Sequence, residues 1–356
     1  MKPLVKFCLA LLICGTILTG TGLAQQTAGN SAGGLSEERA LFNSGRYEEV
    51  IQKLLTLSEG TGFGLRDSRE VAYLMGMSWY HKREYQRALV YLQAVIRFGN
   101  EAPAESPVVR EYFECQQALG LSHYLLGQMA EAIPYLEQTV NRFPNNNELV
   151  YALGMACVQA RQPDKAREAF GRMFRVKADS AAAHLLTAQM MIRVEMEDLA
   201  DTELKKALEK DQRLPQANYL LAQNAIYKTR YDEGIALLEK ELAINPNNAM
   251  AYYKIGDALT RQLKWDEAIT QLQKSVWLNP FYSGPYILLG KSYLKKKQLS
   301  NAEGMLKRAI QFDPNNKSAH YILGQVYQQS GRVEDAKREF ALAEKLQGNL
   351  DSPEIK

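Results

Sequence analysis

The chain repeats itself every 34 residues, and a period of that length fixes architecture before any single residue does. Units begin at Phe113, Asn147, Ala181, Pro215, Ala249, Ser283 and Lys317, with no insertion or deletion between them. Position 8 of each unit is Gly120, Gly154, Ala188, Ala222, Gly256, Gly290 and Gly324. Position 20 is Ala132, Ala166, Ala200, Gly234, Ala268, Ala302 and Ala336. Position 32 carries Pro144, Pro246, Pro280 and Pro314, with Ala178 and Gln212 as exceptions. Stretches such as "AYYKIGDALTRQL" and "WDEAITQLQKSVWL" space their apolar residues by three and four, the mark of amphipathic helix. Each unit therefore reads as a helical hairpin. Small residues at positions 8 and 20 let its two helices approach, since larger ones would overpack by about 1–3 kcal/mol. Proline lacks an N–H and stops the second helix, and the asparagines that follow it favour a turn.

Upstream the register loosens. Residues 69–102 form another unit, with Gly76 and Ala88 in the small columns, and about ten residues beginning "GNEAPAES" are inserted before Phe113. Residues 36–68 read as a partial first unit, which brings the count to nine. Downstream, position 28 is apolar from Ile96 to Ile310 but becomes Glu344, and position 21 becomes Lys337. Polar residues where a next hairpin would pack make the last unit, 317–346, a cap. Residues 347–356 then form a tail, and 25–35 a flexible lead-in.

A 34-residue period with Gly or Ala at 8, Ala at 20 and Pro at 32 resembles the tetratricopeptide repeat family. The resemblance spans nearly all of 36–346 and implies an all-α, right-handed α-solenoid of about nine antiparallel helix hairpins. It also implies that the first helices line a concave groove, exposing positions 2, 5, 9, 12 and 13 to a partner.

The N-terminus, "MKPLVKFCLALLICGTILTGTGLAQQ", joins a basic start at Lys2 and Lys6 to a short apolar run and a Gly22-Leu23-Ala24 site. That is the pattern of a secretory signal peptide over 1–24, with the remaining chain exported to a periplasm or beyond and left without a membrane span. The formal charge of +3 includes those two lysines, leaving a balance too slight to suggest nucleic acid. Once 1–24 is gone, the cysteines are Cys115 and Cys157. The register puts them eight residues apart along neighbouring first helices, about 12 Å, too far for a disulfide. Two buried free thiols are expected.

Signals for catalysis are weak. His81, His123, His184 and His320 fall in no metal-binding spacing, and "EGTGFGLRD" lacks the strand and Lys of a phosphate loop. Neither a cofactor nor a metal nor an enzyme activity is expected. Position 5, by contrast, carries Tyr73, Tyr151, Tyr219, Tyr253 and Tyr321. Tyrosine offers contact area and a hydroxyl with little rotamer entropy to lose, although packing against a neighbouring helix explains the column equally well. Charge is uneven: residues 101–150 carry seven Glu against two Arg, whereas 251–300 carry eight Lys or Arg against three acids. The register turns Lys254, Arg261, Lys291 and Lys295 toward the groove, where they would steer an acidic ligand. The Lys and Asn with which the family's chaperone-binding members clamp a carboxylate are missing from positions 5 and 9. So is the position-6 asparagine ladder of members fused to a sugar transferase. The sequence thus describes a non-enzymatic scaffold of the cell envelope that holds an extended, acidic peptide or helix of a partner protein. An assembly factor for an anionic cell-wall glycan, or a structural subunit of an envelope complex, are the competing readings.

Overall fold

The computed structural model describes residues 35–61, 68–99 and 107–351. Residues 1–24, expected to be a signal peptide, most of the lead-in, the connector over 62–67, most of the ten-residue insertion and the last five residues of the tail lie outside them. Among the described residues there are eighteen α-helices and no strand. The chain divides into two compact units, 1–200 and 201–356.

The first unit contains α1 (Ser36–Asn43), α2 (Tyr47–Thr61), α3 (Arg69–His81), α4 (Tyr85–Arg97), α5 (Pro107–Leu125), α6 (Met129–Arg142), α7 (Asn147–Gln159), α8 (Pro163–Phe174) and α9 (Ala181–Arg193). Helix α10 (Glu197–Lys210) contains the boundary. The second unit continues through α11 (Ala217–Tyr227), α12 (Tyr231–Ile244), α13 (Ala249–Arg261), α14 (Trp265–Leu278), α15 (Ser283–Lys295), α16 (Leu299–Phe312), α17 (Lys317–Gln329) and α18 (Val333–Asp351). Each unit is an all-α solenoid of hairpins, and the helices begin and end where the 34-residue register sets them. Two helices are longer than the register implies. The insertion before Phe113 resolves into a helix start at Pro107, a residue pre-shaped for the first turn. Helix α18 runs on past Leu346 to Asp351.

Packing explains the small columns more closely than the sequence did. A Cβ built on Gly256 would stand 2.5 Å from Leu272 Cγ, and one on Gly290 would stand 2.5 Å from Leu306 Cγ. Gly154 meets Phe170 in the same way, at 2.6 Å. The position-8 glycine therefore makes room for the large side chain at position 24 of its own hairpin. Those side chains, Leu92, Leu136, Phe170, Leu272 and Leu306, are fully buried and form the centre of each hairpin.

The turns have a common geometry. Position 15 is left-handed in every hairpin: Gly45, Arg83, Gly127, Arg161, Glu195, Thr229, Leu263, Lys297 and Gly331 all have φ between 57° and 80°. The second asparagine of each Pro-Asn-Asn phrase caps the next helix. Asn248 Oδ1 accepts from Ala251 N at 3.1 Å, and Asn316 Oδ1 from Ala319 N at 3.2 Å. Asn146 caps α7 alike. Three pairs of neighbouring hairpins are also tied at their outer turns, position 14 of one reaching position 18 of the one before: Lys82 to Glu48, Gln262 to Asp232 at 2.9 Å, and Lys296 to Asp266.

Candidate functional site

Within each unit the first helices of successive hairpins approach one another: α3, α5, α7 and α9 in the first, and α11, α13, α15 and α17 in the second. Second helices pack chiefly between first helices of consecutive hairpins. First helices thus lie on the inner side of each stack, and that side is where the position-5 tyrosines start.

The first unit closes this face with its own side chains. Arg39 of α1 donates to Glu70 at 2.7 Å and to Glu111 at 2.9 Å, and Arg69 reaches Glu111 at 2.8 Å. Tyr73 is only 5% exposed. Its hydroxyl donates to Glu114 Oε2 at 2.5 Å, Phe42 lies 5.8 Å from its ring, and burial together with Glu114 pushes its pKa up. Tyr73 is therefore a packing residue under the N-terminal hairpin and not the groove surface that its column implied. Tyr151 is half-buried, its ring 6.4 Å from Phe170 of the same hairpin.

The second unit leaves the face open and brings tyrosines together. Tyr253 meets Tyr282 edge-on at 5.3 Å between ring centres. Tyr219, one first helix earlier, accepts a hydrogen bond from Gln223 at 3.2 Å and lies within electrostatic reach of Tyr282. Burial first and then Tyr282 raise the pKa of both Tyr219 and Tyr253. Tyr321 stands apart at 50% exposure, leaning on Phe340 at 5.6 Å. It lines a depression of about 530 Å³ with Lys317, Gln325, Gln328 and Glu344 on the last hairpin.

Sequence reasoning missed Tyr282. It occupies the helix-cap position that Asn146, Asn248 and Asn316 fill elsewhere, yet its side chain makes no cap hydrogen bond to α15. Giving up a cap costs about 1 kcal/mol. The signal was the phrase "NPFYSG", which breaks the Pro-Asn-Asn pattern.

The four cations differ in their freedom. Arg261 Nε sits 3.1 Å from Asp257 Oδ2 on its own helix and is largely spoken for. Lys254 Nζ lies 5.8 Å from the Tyr253 ring centre, beside the tyrosine cluster. Lys254, Lys291 and Lys295 have no carboxylate within 4 Å among the described residues. Lys291 is half-buried and Lys295 exposed. Lysines near half-buried phenols, without counter-ions, can hold a carboxylate or another anion by charge-assisted hydrogen bonds.

Cys115 and Cys157 are free and buried, as the register implied. Burial pushes the Cys115 thiol well above its usual range and Cys157 up to about 12, so neither is a nucleophile. No described helix is long and apolar enough to cross a membrane.

Residues 124–190 and 293–356 match one family model and 219–282 another, both described as tetratricopeptide repeat, and together they take in more than half of the chain. By fold this is a helical-hairpin repeat protein. The chain belongs to the tetratricopeptide repeat family. No curated protein matches it in sequence. A similar solved structure is MamA 41-end from Desulfovibrio magneticus RS-1, 24% identical over 49% of this chain and 98% of that one, with a TM-score of 0.46. Another is YrrB, a TPR protein with an unusual peptide-binding site, 24% identical over 51% and 94%, with a TM-score of 0.45. A third is pilF of Pseudomonas aeruginosa, 18% identical over 54% and 88%, with a TM-score of 0.45. These likenesses concern the fold alone.

Proposed function

We propose that the chain is a non-enzymatic scaffold of the cell envelope whose second unit holds an acidic, extended segment of a partner protein along its first helices. The observation that carries the reading is the Tyr219–Tyr253–Tyr282 cluster beside Lys254, with Lys291 and Lys295 on the next first helix free of counter-ions. A row of rings and hydroxyls supplies area and donors, and unpaired cations select for negative charge. The N-terminal basic-apolar stretch supports the envelope location.

The test is affinity capture from envelope extract. Charge reversal by Lys254→Glu with Lys291→Glu is expected to weaken retention of the partner by about tenfold or more, since close interfacial charge pairs are worth about 1.5 kcal/mol or more each. Helicity should be unchanged. Undiminished capture by the double variant would overturn the basic-groove reading. The same chemistry of phenols and amines also suits an anionic glycan, and captured material that survives protease treatment would favour that second reading.

A further inference from the structure

One hairpin of the second unit departs from its neighbours where the fold asks for nothing unusual. Position 33 is Asn145, Asn247 and Asn315 in the other proline-bearing hairpins, but Phe281 here. Position 29 is Asn141, Arg175, Glu209, Ala243, Gln311 or Lys345 elsewhere, but Trp277 here. Polar or small residues serve these positions in hairpins of the same form, so neither aromatic ring is needed to build the repeat. Nor are they core: Trp277 is 82% exposed and Phe281 is 77% exposed. They stand four residues apart, where α14 ends and its turn begins. Phe281 leans edge-on against Phe312 at 6.0 Å, and the Arg308 guanidinium covers that ring at 5.3 Å.

The segment that carries the two rings is basic. From Ile269 to Tyr282 the single charged residue is Lys274, one turn before Trp277. Position 26 is basic in five consecutive hairpins, Arg172, Lys206, Lys240, Lys274 and Arg308, and the last three are exposed. Lys206 is paired with Glu203, but among the described residues Lys240, Lys274 and Arg308 have no carboxylate within 4 Å. Two large rings that project this far do not fill a cleft of their own molecule. A rigid protein surface would have to supply a cavity for each, whereas the interfacial layer of a bilayer admits aromatic rings at the headgroup level. Anionic headgroups would meet the lysines and arginine beside them.

We propose that this edge of the second unit, Trp277 and Phe281 with Lys274 and Arg308, docks onto an anionic lipid surface. The chain is a peripheral lipid binder through this edge, independently of what its first helices hold. The test uses vesicles of phosphatidylcholine with and without about a third phosphatidylglycerol. Trp277→Gln with Phe281→Asn restores residues that neighbouring hairpins already use, so the variant should fold, and its circular dichroism should match the parent. It is expected to lose about tenfold or more of its partition onto anionic vesicles. Lys274→Glu with Arg308→Glu should erase the preference for anionic over neutral vesicles. Residues 1–24 are shared by every variant, and a local readout separates their contribution. Brominated acyl chains should quench the emission component that Trp277→Gln removes, while Trp79 and Trp265 remain as the baseline. Equal partition of parent and aromatic variant, or no quenching of the Trp277 component, overturns the proposal. So does light scattering in which the aromatic variant merely dissociates a dimer, which would make the edge a contact between copies.

Discussion

The first helices of the two units follow one register and meet solvent in opposite ways. In the first unit, Arg39, Arg69, Glu70 and Glu111 neutralise one another across α1, α3 and α5, and Tyr73 is sealed beneath them. In the second, Tyr219, Tyr253 and Tyr282 are half-covered, and Lys254, Lys291 and Lys295 have no acidic neighbour within 4 Å among the described residues. The difference is not in the repeat columns. It comes from what was added around them. Glu111 belongs to the extra turns of α5 that the insertion provides, and Arg39 belongs to the short hairpin at the N-terminus. A tyrosine at position 5 is a surface only where no such additions cover it.

On that contrast, the same kind of substitution will read as folding energy in one unit and as binding in the other. The largest effect should come from Glu111→Ala. Its carboxylate is 10% exposed and holds Arg69 and Arg39 together. Removing it leaves Arg69 without its acidic partner and Arg39 with Glu70 alone. The stability of the first unit should fall by about 2–3 kcal/mol, below the range of a fully buried pair because Arg39 is partly solvated. Urea unfolding followed by hydrogen exchange in α3 and α5 measures it. Tyr282→Asn should move stability the other way, by about 1 kcal/mol, because it restores a helix cap to α15. Retention of the partner should fall in the same variant. A gain in melting temperature with full retention would remove Tyr282 from the binding surface.

Acid should find the first unit before the second. His81 stacks on Tyr47 at 4.5 Å, and burial holds its pKa below the ordinary 6.5. The unfolded chain therefore takes up a proton near 6.5 that the folded chain refuses. This contribution is present above that pH and is lost as the pH falls through the ordinary value toward the folded one. His81→Gln should flatten the change in melting temperature between about pH 7.5 and about pH 5.5, a window that brackets the ordinary histidine pKa. The smallest effect should be that of Lys291→Glu on stability, within about 0.5 kcal/mol by thermal unfolding, even as it weakens capture.

The hairpins are legible in the sequence because their spacing constraints act through residue size. Position 8 must be small opposite Leu or Phe at position 24, and proline follows the second helix in most hairpins, so each column shows. The left-handed turn at position 15 constrains only φ. Gly45, Gly127 and Gly331 announce it, but Arg83, Thr229 and Leu263 adopt the same turn with no shared side chain, so no column forms. Thr229 is β-branched and sits at φ 61°, a conformation such residues rarely take. The candidate site was legible by column and illegible by exposure. Nothing in "REVAYLMG" tells that an inserted helix start forty residues on will bury Tyr73. Tyr282 was hidden for the opposite reason, since it sits in a turn, outside the helical faces on which the column lies.

The link from position 14 of one hairpin to position 18 of the one before joins the hairpins that begin at Pro215, Ala249 and Ser283 by two seams of the same form. Excising residues 249–282 would bring Lys296 opposite Asp232, which Gln262 now engages, so the seam would close again with like chemistry. At this place the array has matching seams on either side of one 34-residue module, and that removable cartridge is the one that carries Trp277, Phe281 and Tyr282 together.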